Sequence, residues 1–298
     1  MPHKLRKELE ELVEETYRVL RCKGRRVEII WYPQGSSKAL DLISVDKEKR
    51  IFIRIVYDSH DLGRGDVLEL KATAKMLNAS PIVVSAYVNG FEAEEDVIYE
   101  RHGLNVVSVT ALKNIVNNDE NLYIYNVRGT YTIKIDPIKL KKKREELGLS
   151  LGDVANLLGV SRKTVYEYEK GTMNLSIEKA ARLVEVFGEE ILEPVELFKE
   201  PRLKDNEVLS KPDTKLEEEI ITFLEKHGFH VCHLRRTPID VLAKSGNKIM
   251  SIILKHLLSS RRFRLKINEA EKIIRATNIK GYITSSEDDI KEIKHDIN

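Results

Sequence analysis

The sequence predicts a multi-domain protein, α/β at both ends and all-α between, and three observations predict it. Its 298 residues exceed what a single hydrophobic core ordinarily serves. Strand-type apolar runs alternate with helical spacing on either side of a central stretch, from Pro137 to about Phe198, where helical spacing continues alone. The element order of the first α/β segment, with several individual residues, recurs in the last one.

Composition sets the outer limits. With 42% hydrophobic and 33% charged residues the chain reads as globular and soluble. No run of about 18 apolar residues is available to span a membrane, and the opening 15 residues lack the apolar stretch of a signal peptide. Cys22 and Cys232 stand far apart without a Cys-x-x-Cys partner, so a cytoplasmic, reducing compartment is expected. The net charge of +2 excludes a uniformly basic polyanion binder. Residues 137–188, however, hold 10 Lys and Arg against 7 Asp and Glu, while 189–198 hold four Glu and no base.

The first element is a helix over 5–20, with Leu5, Leu9, Leu12, Val13, Tyr17 and Leu20 at three- and four-residue spacing and Gly24 beyond its end. Strands follow at 27–32, 39–45 and 51–57, the last two joined as a hairpin by the charged turn 46–50. After a loop with Gly63 and Gly65 come a helix at 67–77 and an apolar strand at 82–88. The order is α-β-β-β-α-β. A second α/β segment extends to Val109, and 122–127 with 131–135 form a hairpin around Arg128-Gly129 that leads into Pro137. Beyond the helical stretch, 200–214 read as a polar linker.

The last segment repeats the first. Leu12, Glu15 and Gly24 fall opposite Leu216, Glu219 and Gly228, and Asp41 opposite Asp240. The strand from Ile51 falls opposite that from Met250, and the later helices end at Asn78 and Asn278. Two α/β domains from one duplication, flanking a helical insert, are therefore expected. The boundaries read 1–128, 129–198, a linker at 199–214, and 215–298.

Within the insert, Pro137 suits the first turn of a helix, and Ile138, Leu140 and Leu147 form an apolar stripe behind Lys139, Lys141, Lys142, Lys143 and Arg144. Ser150 caps a short helix with Val154, Ala155, Leu157 and Leu158, and Gly159-Val160 makes a tight turn. Ser161 caps a helix at 162–170, and Ser176 one at 177–187. Two short helices across a Gly-containing turn constitute a helix-turn-helix, whose second helix enters the major groove of DNA.

The segment 147–171, with Ala155, Gly159, Val160, Ser161, Glu169 and Gly171 in register, resembles the helix-turn-helix of phage repressors and Cro-type regulators. That resemblance implies that Arg162 and Lys163 are the leading base readers, with Tyr166 and Glu167 a turn further along. The chemistry agrees: Arg or Lys pairs with guanine acceptors, Thr164 and the Tyr166 ring meet a thymine methyl, and Glu167 accepts from cytosine. Ser161, Lys170, Lys141, Lys142, Lys143 and Arg144 are assigned to phosphates, and Glu169 to the motif's backbone donors. Where such motifs often begin their first helix with Gln, this chain has Leu151-Gly152, so that base contact is lost.

The flanking order, with an Asp near one strand's start and a hairpin to the next, resembles the restriction-endonuclease-like fold of archaeal Holliday-junction resolvases. In that family a helix Glu, an Asp and a Glu-x-Lys gather magnesium and an attacking water. Here the Glu-x-Lys position reads Arg54-Ile55-Val56 in the first copy and Ile253-Leu254-Lys255 in the second, so both copies are read as inactive. No catalytic residue, metal or other cofactor is assigned. Arg261, Arg262, Arg264 and Lys266 are expected as a basic surface cluster, and His227, His230, His233 and Cys232 diverge too far for a metal site.

Taken whole, the chain resembles the helix-turn-helix transcriptional regulators of archaea. The expected function is sequence-specific binding of double-stranded DNA as a homodimer, with no enzymatic activity and no membrane partner. The competing reading is a Holliday-junction-type nuclease, or a binder of DNA structure, that uses the helix-turn-helix for targeting.

Overall fold

The computed structural model describes residues 3–22, 24–33, 37–47, 49–203, 211–255, 258–284 and 293. Residue 48 of the expected charged turn and residues 204–210 of the expected linker lie outside the described residues.

The first α/β unit opens with helix α1 (His3–Arg21), followed by strands β1 (Arg26–Ile29), β2 (Leu42–Val45) and β3 (Arg50–Asp58). Helix α2 (Arg64–Met76) and strand β4 (Ser80–Val88) complete the predicted order. Strands β5 (Phe91–Glu92), β6 (Val97–Arg101) and β7 (Leu104–Val107), helix α3 (Val109–Asn117), and the hairpin strands β8 (Ile124–Val127) and β9 (Thr130–Ile135) extend it. Arg128 and Gly129, both at positive φ, form the hairpin turn as expected. The helices α4 (Pro137–Glu146), α5 (Leu151–Leu158), α6 (Arg162–Glu169) and α7 (Ile177–Phe187) follow.

The stretch after Pro137 is not purely helical. Leu192–Glu193 forms strand β10, antiparallel to β9, so both ends of the four-helix segment are tied to one ladder. The resulting sheet runs β1-β2-β3-β4-β7-β6-β8-β9-β10, with β5 beside β4. Sequence reading missed β10 because two residues carry no periodicity.

The last unit contains α8 (Lys215–Lys226), β11 (His230–His233), β12 (Val241–Ser245), β13 (Lys248–Leu254), α9 (Ser260–Thr277) and β14 (Lys280–Thr284). Its sheet, β11-β12-β13-β14, has the β1-β2-β3-β4 pattern: two antiparallel pairings, then a parallel one. Helices α2 and α9 both end beside an Asn in the left-handed region, Asn78 at φ 50° and Asn278 at φ 53°.

Strand alternation decides what each sheet face covers. In β3, Ile53 and Ile55 point to a core with Leu12, Leu20, Ala111 and Leu112 beneath α1 and α3. Phe52 and Val56 point the opposite way, where they join Leu70, Ala74, Leu242, Ile253, Ala270 and Ile273. In the last unit Met250, Ile252 and Leu254 lie under Ile220 and Leu224 of α8, while Ile253 faces the first unit. The two α/β units thus share one buried core. Helix α2 packs on β12, and α9 packs on β1 and β2.

This seam is reciprocal. The N–H of Ile30 donates to the Asp41 carbonyl at 2.8 Å, and its counterpart Leu234 donates to the Asp240 carbonyl at 2.7 Å. The next residues cross over: Trp31 N–H donates to Glu269 of α9 at 2.7 Å, and Arg235 N–H to Glu69 of α2 at 2.9 Å. Arg236 then donates its N–H to Glu69 at 2.7 Å and its guanidinium to Asp66 at 2.9 Å. Each unit's loop after its first strand is therefore held by a helix glutamate of the other unit.

Candidate nucleic-acid interface

Local sequence builds the helical segment at each boundary. Asp136 accepts the N–H groups of Ile138 and Lys139 at 3.0 Å, with Pro137 in the first turn. Ser150 and Asp153 form a reciprocal capping box on α5. Gly159, at φ 64°, turns the chain out of α5 in the left-handed region, where a side chain would be strained. Two residues on, Ser161 accepts the Thr164 N–H at 3.1 Å and starts α6. Val154, Ala155, Leu158, Val165, Tyr168, Leu175, Leu183 and Phe187 form the core that fixes α5 against α6.

With Val165 and Tyr168 buried, α6 turns a different face to solvent. Ser161, Arg162, Lys163, Tyr166 and Lys170 are exposed; Thr164 and Glu167 are half-buried. The Lys170 ammonium sits 4.5 Å from the Tyr166 ring centroid. The Glu167 carboxylate accepts from the Thr172 hydroxyl at 2.5 Å, and the Ser161 and Thr164 hydroxyls lie 2.9 Å apart. These two contacts orient side chains that composition alone leaves free.

Gly152 acquires a role from geometry. A Cβ on it would lie 3.0 Å from Arg162 Nε and 3.1 Å from Arg162 Nη2, so the guanidinium rests where a larger residue would put its side chain. The position where a Gln was missing is thus occupied by Arg162 itself.

Helix α4 differs from expectation. Only Leu140 of the predicted stripe is buried, while Ile138 and Leu147 are exposed. Arg144 is turned inward: its Nε and Nη2 lie 2.5 Å and 3.1 Å from the Glu169 carboxylate, and Nη1 lies 2.9 Å from the Leu149 carbonyl. Glu169 therefore meets a guanidinium where backbone donors were expected. This bidentate pair ties α4 to the end of α6. Lys143 lies 2.5 Å from Glu190 and Lys142 3.7 Å from Glu146, whereas Lys141 is exposed.

The expected basic cluster of α9 is also rearranged. Arg261, Arg262 and Arg264 are exposed, but Lys266 is buried against Asp240. Helix spacing hid this, because Lys266 shares the inward face with Phe263 and Ala270. Of the histidine decoys, His233 pairs with Glu217 at 3.2 Å. Asp213, Glu217 and His233 bring three metal-type donor atoms within 4.8 Å. Glu217 is already bonded to the Asp213 and Thr214 N–H groups as the capping partner of α8, and Asp213 pairs with Arg235.

Among the described residues no helix is long and apolar enough to cross a membrane. Residues 9–122 match the family model of the PD-(D/E)XK superfamily domain, and residues 140–193 match a helix-turn-helix model. No solved structure matches. A protein of Aeropyrum pernix named "Putative HTH-type transcriptional regulatory protein" is 33% identical over 276 residues, 88% of this chain and 83% of the relative. A similarly named protein of Sulfurisphaera tokodaii is 30% identical over 88% of this chain and 85% of its own length. One from Pyrococcus abyssi is 33% identical over 79% and 73%. A regulator-type helix-turn-helix carried on a PD-(D/E)XK domain, with likeness spread over most of both chains, makes this protein a member of the archaeal family of putative HTH-type transcriptional regulatory proteins.

Proposed function

We propose that the protein is a sequence-specific regulator that binds double-stranded DNA as a homodimer and reads the major groove with α6. The observation that carries this is the exposed face of a capped, rigidly packed α6, on which Arg162, Lys163 and Tyr166 stand together. Arg162 and Lys163, in the first turn, supply the donors that guanine O6 and N7 accept. Tyr166 and Thr164 supply apolar edges for thymine methyls, and Glu167, steadied by Thr172, accepts from cytosine. Ser161, Lys170, Lys141, Lys142 and Lys143 face phosphates. Arg144 acts as a positioning residue that fixes α4 and Glu169. A single motif reads one half-site, which is the reason for two copies.

The same reading makes the chain a non-enzyme of the cytoplasm. Its described cysteines, exposed Cys22 and buried Cys232, are free thiols that suit a reducing compartment. Sites selected from random duplex DNA should converge on a two-fold consensus. Arg162→Ala should relax preference at one base position of each half-site, by about 1–3 kcal/mol for a bidentate contact. Lys141→Ala should instead weaken all sites alike and flatten the salt dependence. Competition binding at two salt concentrations separates these results. An Arg162→Ala protein with unaltered base preference would count against the assignment.

A further inference from the structure

We infer that in each α/β unit a cation of the chain itself stands where a nuclease of this fold would hold its divalent metal, so neither unit takes one. The observation is the same constellation built twice from different residues. In the last unit, Lys266 Nζ lies 2.6 Å from each oxygen of Asp240 and 3.3 Å from the Leu254 carbonyl. In the first, Arg54 Nη1 lies 2.6 Å from Asp41 Oδ2 and 2.8 Å from the Ile55 carbonyl. Ile55 and Leu254 are counterparts, since their N–H groups donate to the Oδ2 atoms of Asp41 and Asp240 at 2.7 Å and 2.6 Å.

A carboxylate and a strand carbonyl converging on one point are the hard oxygen ligands magnesium or manganese would take. Here the point is filled by a guanidinium nitrogen from β3 in one unit and by an ammonium nitrogen from α9 in the other. Lys38 Nζ, 2.8 Å from Asp41 Oδ1, adds a second cation to the first site. The positions beside the aspartates, Arg54 and Ile253, add no second carboxylate, so without its cation either site would offer one carboxylate, one carbonyl and water, a weak set suited to millimolar metal. A dication entering either site would meet a buried positive charge at its own position, which low-dielectric surroundings make strongly unfavourable. Both aspartates are buried as well. Arg236 of the last unit binds Asp66 and Glu69 of α2 in the first unit. Asp66 is close enough to Asp41 for the two charges to interact. Tyr32 of the first unit is correspondingly close enough to feel the Asp240 charge. Lys266, Arg54 and Lys38 are positioning residues: their contacts with the buried aspartates hold each carboxylate where it clamps its strands.

This inference is independent of how α6 reads DNA, and manganese titration of the full chain tests it. In the wild-type protein, Mn²⁺ should leave the methyl signals of Ile55 and Leu254 sharp. Selective paramagnetic broadening of either at sub-millimolar Mn²⁺ would overturn the proposal outright, and needs no variant. Lys266→Ala should lower the thermal midpoint and regain at least half of that loss in millimolar Mn²⁺, with the Leu254 methyls now broadened. The double variant Lys266→Ala with Asp240→Asn should show no such recovery. A folded Lys266→Ala protein that ignores Mn²⁺ would mean that Nζ does not occupy a metal position. Should that variant not fold, the wild-type spectra decide alone.

Discussion

The two α/β units meet the same physical demand with different residues. In the first, buried Asp41 is balanced by Arg54, a strand neighbour, and Lys38, from the adjoining loop. In the last, Asp240 is balanced by Lys266, which comes from the helix across the sheet. A carboxylate enclosed in a protein must have a counter-charge and hydrogen-bond donors, whereas the element that supplies the counter-charge is free to vary. The strand N–H at Ile55 or Leu254 is the part of the arrangement that does not vary, because backbone geometry dictates it.

The sharpest way to break that comparison is to remove one cation from each unit. Lys266→Ala should cost about 3–5 kcal/mol in urea unfolding, the range for stranding a buried charge. Arg54→Ala should cost less, about 1–3 kcal/mol, because Lys38 remains on Asp41. Equal losses would mean that Lys38 contributes nothing to its aspartate and that the two sites are energetically alike.

The seam offers a second, smaller contrast. Glu69 accepts two backbone N–H groups and lies 3.3 Å from the Arg236 guanidinium, while Glu269 accepts one N–H and pairs with Lys272 at 2.8 Å. Glu69→Gln should destabilise by about 2 kcal/mol and Glu269→Gln by about 1 kcal/mol, read from the shift in denaturation midpoint. A reversed order would place the stronger clasp on α9.

These particulars show what a sequence can convey. Asp41 and Asp240 were legible because each precedes a matching strand at a matching distance, and the left-handed Asn78 and Asn278 mark equivalent helix ends. The exposed face of α6 was legible because Ser161, Gly159 and the apolar positions Val165 and Tyr168 fix one register. Lys266 was not, since a lysine within an Arg-rich helix start carries no mark of the aspartate opposite. Arg144 looked like its lysine neighbours, although Glu169 lies far along the chain, and only the fold brings the two together. Glu69 and Glu269 were equally silent: each serves the loop of the other unit, and sequence spacing says nothing about a partner in a different domain.

The smallest expected effect separates the first site from the seam by pH. Burial opposes the charge on Asp41, but Arg54, Lys38 and the Ile55 N–H together hold its carboxyl below the usual range. Such a group contributes stability above its unfolded pKa of about 3.9, lost as pH falls through the lower folded value. Glu69 moves the opposite way: burial outweighs the Arg236 and Arg235 N–H groups and the guanidinium, so its carboxyl is raised. Its contribution is complete below an unfolded pKa of about 4.3 and is lost as pH rises through the folded value. Asp41→Asn should therefore cost more at pH 7 than at pH 3, and Glu69→Gln more at pH 4 than at pH 7. The two changes between pH values should have opposite signs, and that sign is what the measurement reads. If both variants showed the same pH slope, Glu69 would be ionised as readily as Asp41, and the amides of Arg235 and Arg236 would outweigh its burial.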